Sequence, residues 1–398
     1  MLQNLIVFGG KGGVGKSSVS TATAVKLADL LPEKKILLIS FDIAHNLSDL
    51  FKKEVGNNIT QITENLWAIE PDPHEYAEAY TKEFSTKARK LIKSFPIVGA
   101  IPDLQKFIDT TFTADSIPLA LKNSIFFQSI IDADNPIENL ETEGEEKTPF
   151  DIIVADFPPT GNMISLFEIP ENHIQQLLKY SLEMIAQVRK FTKQLRKVTR
   201  VMNPLSWVKK TPHDEEKKEL AEELLQMLKA LEHRGKRISQ LMKSIGSLRI
   251  VTIAEKPSVE ESIRARELSL PYIHVEGIHV NRIMPEEPAA HCEFCDHQRI
   301  NQLKYLEQIE QEFQKEEVWV SRLLDFEPIG LDGLRALADE VYGDIKDGEK
   351  ILNPSGRDLT VPAFMYEEES EPQFVEDKEY TEEEIQELLD NEDGMSLF

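Results

Sequence analysis

Cysteine is nearly absent, with two residues in 398, and both lie in the string His291-Cys292-Glu293-Phe294-Cys295-Asp296-His297. A disulfide framework is excluded, and the expected compartment is reducing and therefore cytoplasmic. Long apolar runs are also missing. No window approaches the roughly eighteen uninterrupted apolar residues of a spanning helix, and the opening residues carry no leader-like pattern. Positive charge is in deficit: 45 Lys and Arg stand against 70 Asp and Glu, for a formal net charge of −25, which disfavours nucleic-acid binding. The 41% hydrophobic content still suffices for a large core at this length.

Glycine, by contrast, is concentrated in one place. Residues 9 to 18 read Gly-Gly-Lys-Gly-Gly-Val-Gly-Lys-Ser-Ser, after the apolar run Leu5-Ile6-Val7-Phe8 and before an Ala-rich, helix-prone stretch. Gly10, Gly15, Lys16 and Ser17 fit G-x-x-x-x-G-K-[ST], the phosphate-binding loop. In such a loop the backbone N–H groups of Gly12, Gly13, Val14, Gly15 and Ser18 are placed to cradle phosphates, Lys16 to reach the β/γ oxygens, and the Ser17 hydroxyl to coordinate Mg²⁺. ATP and Mg²⁺ are the implied cofactors. Gly10, Gly12 and Gly15 also satisfy the dinucleotide pattern G-x-G-x-x-G, with Asp42 where a ribose acid would stand. The Lys16-Ser17 pair decides against it. A second acidic strand end, in Asp151-Ile152-Ile153-Val154-Ala155-Asp156, agrees: a continuous apolar run reads as a buried parallel strand, and Asp156 at its end can hold the magnesium shell through water.

Hydrolysis of a γ-phosphate needs positioning, charge neutralisation and one polar group to orient the attacking water. Asp42, leaving the next apolar strand, is the candidate for that group. Lys11, inside the loop, would be a solvated surface charge on the phosphate-loop pattern alone.

The string Lys-Gly-Gly-Val-Gly-Lys-Ser-Ser resembles the deviant phosphate loop of the MinD, ParA, nitrogenase-iron-protein and ArsA group. That resemblance implies a homodimer in which Lys11 crosses to the partner's nucleotide. Ser40-Phe41-Asp42-Ile43-Ala44-His45-Asn46-Leu47-Ser48-Asp49 resembles the first switch of the ArsA family, the arsenite-pump and tail-anchored-protein-targeting ATPases, and implies a nucleotide contact for Asn46. Asp156-Phe157-Pro158-Pro159-Thr160-Gly161-Asn162 resembles the second switch. Val280-Asn281-Arg282 resembles the strand end whose asparagine, here Asn281, reads adenine, and Pro328-Ile329-Gly330 the loop that closes over the base. Ile43, Phe157, Pro158 and Asn162 depart from the family's usual residues without removing a phosphate or magnesium ligand.

A C-x-x-C pair supplies half of a tetrahedral zinc site. In a twofold dimer the partner would supply the rest, so Cys292 and Cys295 are expected to hold intersubunit Zn²⁺, as the family's targeting branch implies. A one-chain site with His291 or His297, or a redox thiol pair, are the alternatives. As(III) favours thiolates, and the pump members gather three cysteines from separate places. With no cysteine outside the pair, arsenite stimulation is not expected.

The expected fold class is α/β: a parallel-sheet P-loop NTPase flanked by helices, with a helical insertion subdomain and an acidic C-terminal tail. Strands are expected near 5–8, 36–41, 66–70, 151–156, 248–254, 275–281 and 317–320. The ATPase domain is assigned to 1–350, with helical insertions at 74–131 and 162–245. The second insertion holds five of nine methionines (Met163, Met184, Met202, Met227, Met242), and the family implies that a methionine-lined groove there takes a hydrophobic client helix. Eight Lys or Arg and no acid between 187 and 213 make a solvated helix face or a membrane-surface contact. Residues 351–398 are expected to be a linker and a disordered tail, with fourteen acids against one Lys from 366 to 398. The expected function is an ATP-hydrolysing homodimer that binds or targets hydrophobic clients, with a membrane-bound receptor as a further partner. A MinD/ParA-like positioning ATPase, a nucleotide-gated holdase and an arsenite-pump ATPase are the rival readings.

Overall fold

The computed structural model describes residues 2–41, 47–71, 150–164, 166–167, 236–343 and 345–359, with isolated positions at 82–83, 86–87, 90 and 223. The chain divides into two units, Met1–Pro362 and Ala363–Phe398, and every described residue belongs to the first.

Apolar runs of about five residues, each closed by a turn or helix signal, form the centre of the fold. β1 (Asn4–Gly10), β2 (Ile36–Ser40), β4 (Leu66–Ile69), β5 (Ile152–Asp156), β6 (Gly246–Ile253), β7 (His274–Ile283) and β8 (Glu317–Arg322) pair in parallel, while a short β3 (Thr60–Gln61) joins β4 antiparallel. The sheet order is β3-β4-β2-β5-β1-β6-β7-β8. All seven expected strands are present. The two-residue β3 was not expected, because it carries no apolar run.

Side chains alternate across the strands, so each strand serves two cores. Leu5, Val7, Leu37, Ile39, Ile153, Ala155, Leu248 and Ile250 face one layer, which includes Met163 and Met242. Ile6, Phe8, Ile36, Leu38, Ile152, Val154 and Val251 face the other. That second layer is built on α1 (Lys16–Leu30) and α6 (Gly330–Tyr342), joined by Thr23 to Tyr342 (2.7 Å), Lys26 to Asp339 (2.7 Å) and a bidentate Arg335–Asp29 pair (2.8 and 3.0 Å). The remaining helices are α2 (Leu47–Phe51), α3 (Lys256–Ser269), α4 (Glu286–Ala289), α5 (Glu293–Glu312) and α7 (Gly348–Leu352). The described positions of the two stretches expected to be helical are helical at 82–83, 86–87, 90, 162–164, 166–167, 223 and 236–244, and Ile245 is a turn. Met163 and Met242 are core residues, and Met184, Met202 and Met227 lie outside the described residues. The acidic tail also lies outside them, as does the whole basic segment 187–213.

Packing continues past residue 350, where sequence placed the start of a linker. Ile351 and Leu352 are buried, and Arg357 donates to Glu276 Oε1 (2.9 Å), Ser244 O (3.1 Å) and Gly246 O (2.7 Å). The reason is a polar cluster under the sheet. Arg249 of β6, 2% exposed, donates to Ser247 Oγ (3.0 Å), Ile351 O (3.0 Å) and Leu352 O (3.2 Å). Its guanidinium lies 4.8 Å from the centre of the Trp319 ring, itself stacked on the buried His279 (4.6 Å). Burial, reinforced by Arg249, holds the His279 pKa well below the usual imidazole value, so this ring stays neutral. Burial likewise pushes the Tyr342 phenol up to about 12.

Arg249 therefore caps the carbonyl end of α7 from inside the core. Arg249→Met should leave those carbonyls unpaired and cost about 3 kcal/mol. The unfolding midpoint in urea checks this, and a loss below about 1 kcal/mol would contradict the role.

Candidate nucleotide site

β1 lies between β5 and β6, so the chain's later strands flank its first one and the sheet extends in both directions from it. At such a switch point the loops beyond the strands' carboxyl ends surround a common crevice. The loop of residues 11–15 leaves β1 there and enters α1. Two glycines make the turn. Gly10 has φ +147°, and a Cβ on it would stand 2.2 Å from Val251 O; Gly15, with φ +90°, is the left-handed N-cap of α1. No side chain caps α1, which leaves its first N–H groups and its positive dipole end directed at the crevice.

Within that crevice Lys16 is 5% exposed, and its Nζ donates to Asp156 Oδ1 at 2.8 Å, on a carboxylate with no exposure at all. Two residues 140 apart in sequence meet because β1 and β5 are paired, with Phe8 beside Asp156. Ser17 is half-buried in the first turn of α1. Its hydroxyl and the Asp156 carboxylate are hard oxygen donors of the kind Mg²⁺ prefers. Lys11 and Ser18 are half-buried and Gly12 and Gly13 exposed, whereas Val14 is buried. A Cβ at Gly12 would lie 3.8 Å from Pro159 Cγ, which places the second switch beside the loop.

The β2 exit is tied to the same point. Phe41 N–H donates to Asp156 O (2.7 Å), and the Phe41 ring meets Phe157 edge-on at 5.0 Å. Asp42 and Asn46 follow immediately and lie outside the described residues. The chain is regained at Leu47, whose N–H donates to the buried Glu70 Oε1 (3.2 Å).

From the other side β7 delivers Asn281. Its Nδ2 donates to Val14 O (2.9 Å), while its Oδ1 accepts from Ser321 Oγ (2.8 Å) and from the Arg282 amide (3.0 Å). The residue expected to read adenine is thus joined to the phosphate loop itself. Arg282, in the left-handed region with φ +62°, donates from Nη1 to Gly13 O (3.1 Å). Neither Arg282 nor Ser321 was assigned a role from sequence, although Arg282 adjoins Asn281 and Ser321 follows the strand expected at 317–320. A positive φ at a non-glycine residue leaves no mark in the sequence. Pro328 is half-buried just before α6.

Cys292 and Cys295 are far from this crevice in sequence, at the start of α5. Cys292 is the helix N-cap, accepting the Cys295 N–H on Sγ at 3.3 Å. Hydrogen bonds from the Cys295 thiol and amide lower the Cys292 pKa, and the same thiol contact raises that of Cys295. Both are free and half-exposed. Among the described residues no three His, Cys, Asp or Glu side chains converge, so neither His291 nor His297 completes a ligand set with the pair. What the chain presents is two thiols, which suit Zn²⁺ and fill half of its tetrahedron.

Among the described residues no helix is long and apolar enough to cross a membrane. The ArsA family profile, described as anion-transporting ATPase, matches residues 3–343. A protein of Aquifex aeolicus, provisionally named arsenical pump-driving ATPase 1, is 29% identical over 85% of this chain and 79% of its own length. The ATPase get3 of Aspergillus niger is 27% identical over 84% of this chain and 89% of its own. The arsenical pump-driving ATPase of Escherichia coli is 35% identical over a shorter match, 42% of this chain and 26% of its own. A phosphate loop, a strand-end aspartate and a profile match spanning nearly the whole sheet coincide, and the chain belongs to the ArsA family of ATPases.

Proposed function

We propose that the chain is a Mg²⁺-dependent ATPase, working as a homodimer in the cytoplasm. The observation that carries this reading is the buried contact between Lys16 and Asp156. A lysine held in a dry site by a strand-end carboxylate is ready to exchange that partner for phosphate oxygens, and the carboxylate is then released to the metal shell. When bound, Mg²⁺ would neutralise charge on the β and γ oxygens, held by Ser17 and, through water, by Asp156. Gly10, Gly12, Gly13, Val14, Gly15 and Ser18 shape the cradle. Asp42 orients the attacking water. Asn46, Asn281 and Pro328 contact the nucleoside side, and Lys11 reaches the nucleotide of the partner chain.

The dimer reading is supported by the presentation of two half-exposed thiols that make half a zinc site, and by the resemblance of the loop carrying Lys11 to the deviant phosphate loop. The resemblance to the targeting branch of the family, with five methionines in the second insertion, supports a hydrophobic client helix and a membrane-bound receptor as partners. Nucleotide can gate a client only through a difference in client affinity between nucleotide states.

Asp42→Asn should retain ATP and Mg²⁺ binding while lowering turnover by roughly two orders of magnitude, the scale of a lost water-orienting group. Lys16→Ala should abolish tight binding instead. Phosphate release at saturating ATP separates the two, and equal turnover of wild type and Asp42→Asn would remove Asp42 from the mechanism.

For the assembly, purified protein should carry one zinc per two chains, lost together with the dimer in Cys292→Ser and weakened on acidification as protons compete for the thiolates. The zinc-bearing dimer should capture a transmembrane-segment peptide better with ATP than without. Zinc analysis with light scattering, and pull-down in both nucleotide states, are the measurements. One zinc per chain in a stable monomer would refute the shared site, and equal capture would refute client gating.

A further inference from the structure

We infer that Arg282 and Ser321, joined through Asn281, form a positioning relay that sets the phosphate loop for its ligand, and that the contribution of Arg282 and Ser321 acts on the triphosphate rather than on the base. In a trans peptide the C=O and the following N–H point in opposite directions. Asn281 Nδ2 holds Val14 O (2.9 Å) and so turns the Gly15 N–H away from β7. Arg282 Nη1 holds Gly13 O (3.1 Å) and does the same for the Val14 N–H. Two consecutive N–H groups of the loop are thereby aimed at the face that the glycine pattern reserves for phosphate.

The relay is anchored on both sides. Ser321, buried on β8, donates to Asn281 Oδ1 (2.8 Å), and the same oxygen accepts the Arg282 amide (3.0 Å). Gln302 Nε2 of α5 donates to the Arg282 carbonyl (3.1 Å). These bonds hold Arg282 at φ +62°, a conformation that a long side chain keeps only where its surroundings over-determine it. Held there, its guanidinium lies over the loop, with Nη2 3.6 Å from the point a Cβ on Gly15 would occupy. Asn281 has both oxygen lone pairs and one N–H engaged, leaving a single N–H for any base. Its contact with the loop is made before any ligand arrives, and the remaining N–H is left for the nucleoside side.

This inference rests on the reading that the loop binds a nucleoside triphosphate. The test is calorimetric titration of the full chain with MgATP and with magnesium tripolyphosphate, which has no base, for wild type, Arg282→Ala, Arg282→Lys and Ser321→Ala. Arg282→Ala should weaken both ligands by the same factor, about three- to tenfold for one lost hydrogen bond that orients a charged-ligand site. Arg282→Lys should recover part of the loss, and Ser321→Ala should lose affinity in the same ratio for both ligands. The KM for ATP should rise in each variant, with kcat and the ligand-free melting temperature held. A loss confined to MgATP would show that the relay reads the base and overturn the inference. So would unchanged affinities, or a fall in melting temperature that accounts for the loss. Wild type binding neither ligand would overturn the triphosphate reading itself, a result visible before any variant is made.

Discussion

The Lys16 ammonium has almost no water, and its contact with Asp156 helps to make that tolerable. An unpaired cation at 5% exposure would cost several kcal/mol, and Asp156 offsets it at 2.8 Å. The pairing requires β5 to insert directly beside β1, which is the reason the sheet order places a strand from residue 152 next to one from residue 4. It also requires dry walls, supplied by the apolar residues on both faces of these two strands. The central sheet thus keeps a strong positive charge at the mouth of the loop, against the Asp156 carboxylate.

The rest of the fold supports this arrangement from both directions. On one side β2 ends against Asp156 through the Phe41 amide, and the Phe41–Phe157 contact joins the beginnings of the two switch segments in a buried aromatic pair. A movement of one is therefore felt by the other as lost packing. On the other side β7 and β8 present Asn281, Arg282 and Ser321 to the loop. Behind them lies the cluster of Arg249, His279, Trp319 and Tyr342, which also captures the end of the described chain through the carbonyls of Ile351 and Leu352.

The apolar runs made the parallel strands legible, since a strand buried on both faces is written as a continuous stretch of Val, Ile and Leu. The meeting of Lys16 with Asp156 was legible in two parts, the glycine spacing that singles out Lys16 and the apolar run that ends at Asp156. Arg249 shows where this stops. The run 248–254 reads as a strand through it, yet its carbonyl partners lie 102 and 103 residues downstream, and no local pattern encodes such a pairing. The contacts past residue 350 are unencoded for the same reason: the Asn-Pro-Ser-Gly composition after Leu352 reads as a linker, while Arg357 ties it to Glu276. Arg282 escaped notice because its importance lies in a backbone angle. Asp42 rests on its place at a strand exit and on the switch motif, and Asn46 on the motif alone, as both fall outside the described residues.

The central claim is that Asp156 first holds Lys16 and then yields it to phosphate while turning to the magnesium shell. Titrating wild type and Asp156→Asn with ATP, in the presence and absence of Mg²⁺, tests this directly. The account predicts that Asp156→Asn binds metal-free ATP at least as tightly as wild type, because the competing carboxylate is gone, and that Mg²⁺ no longer tightens binding. Weaker metal-free binding together with an undiminished Mg²⁺ effect would contradict it.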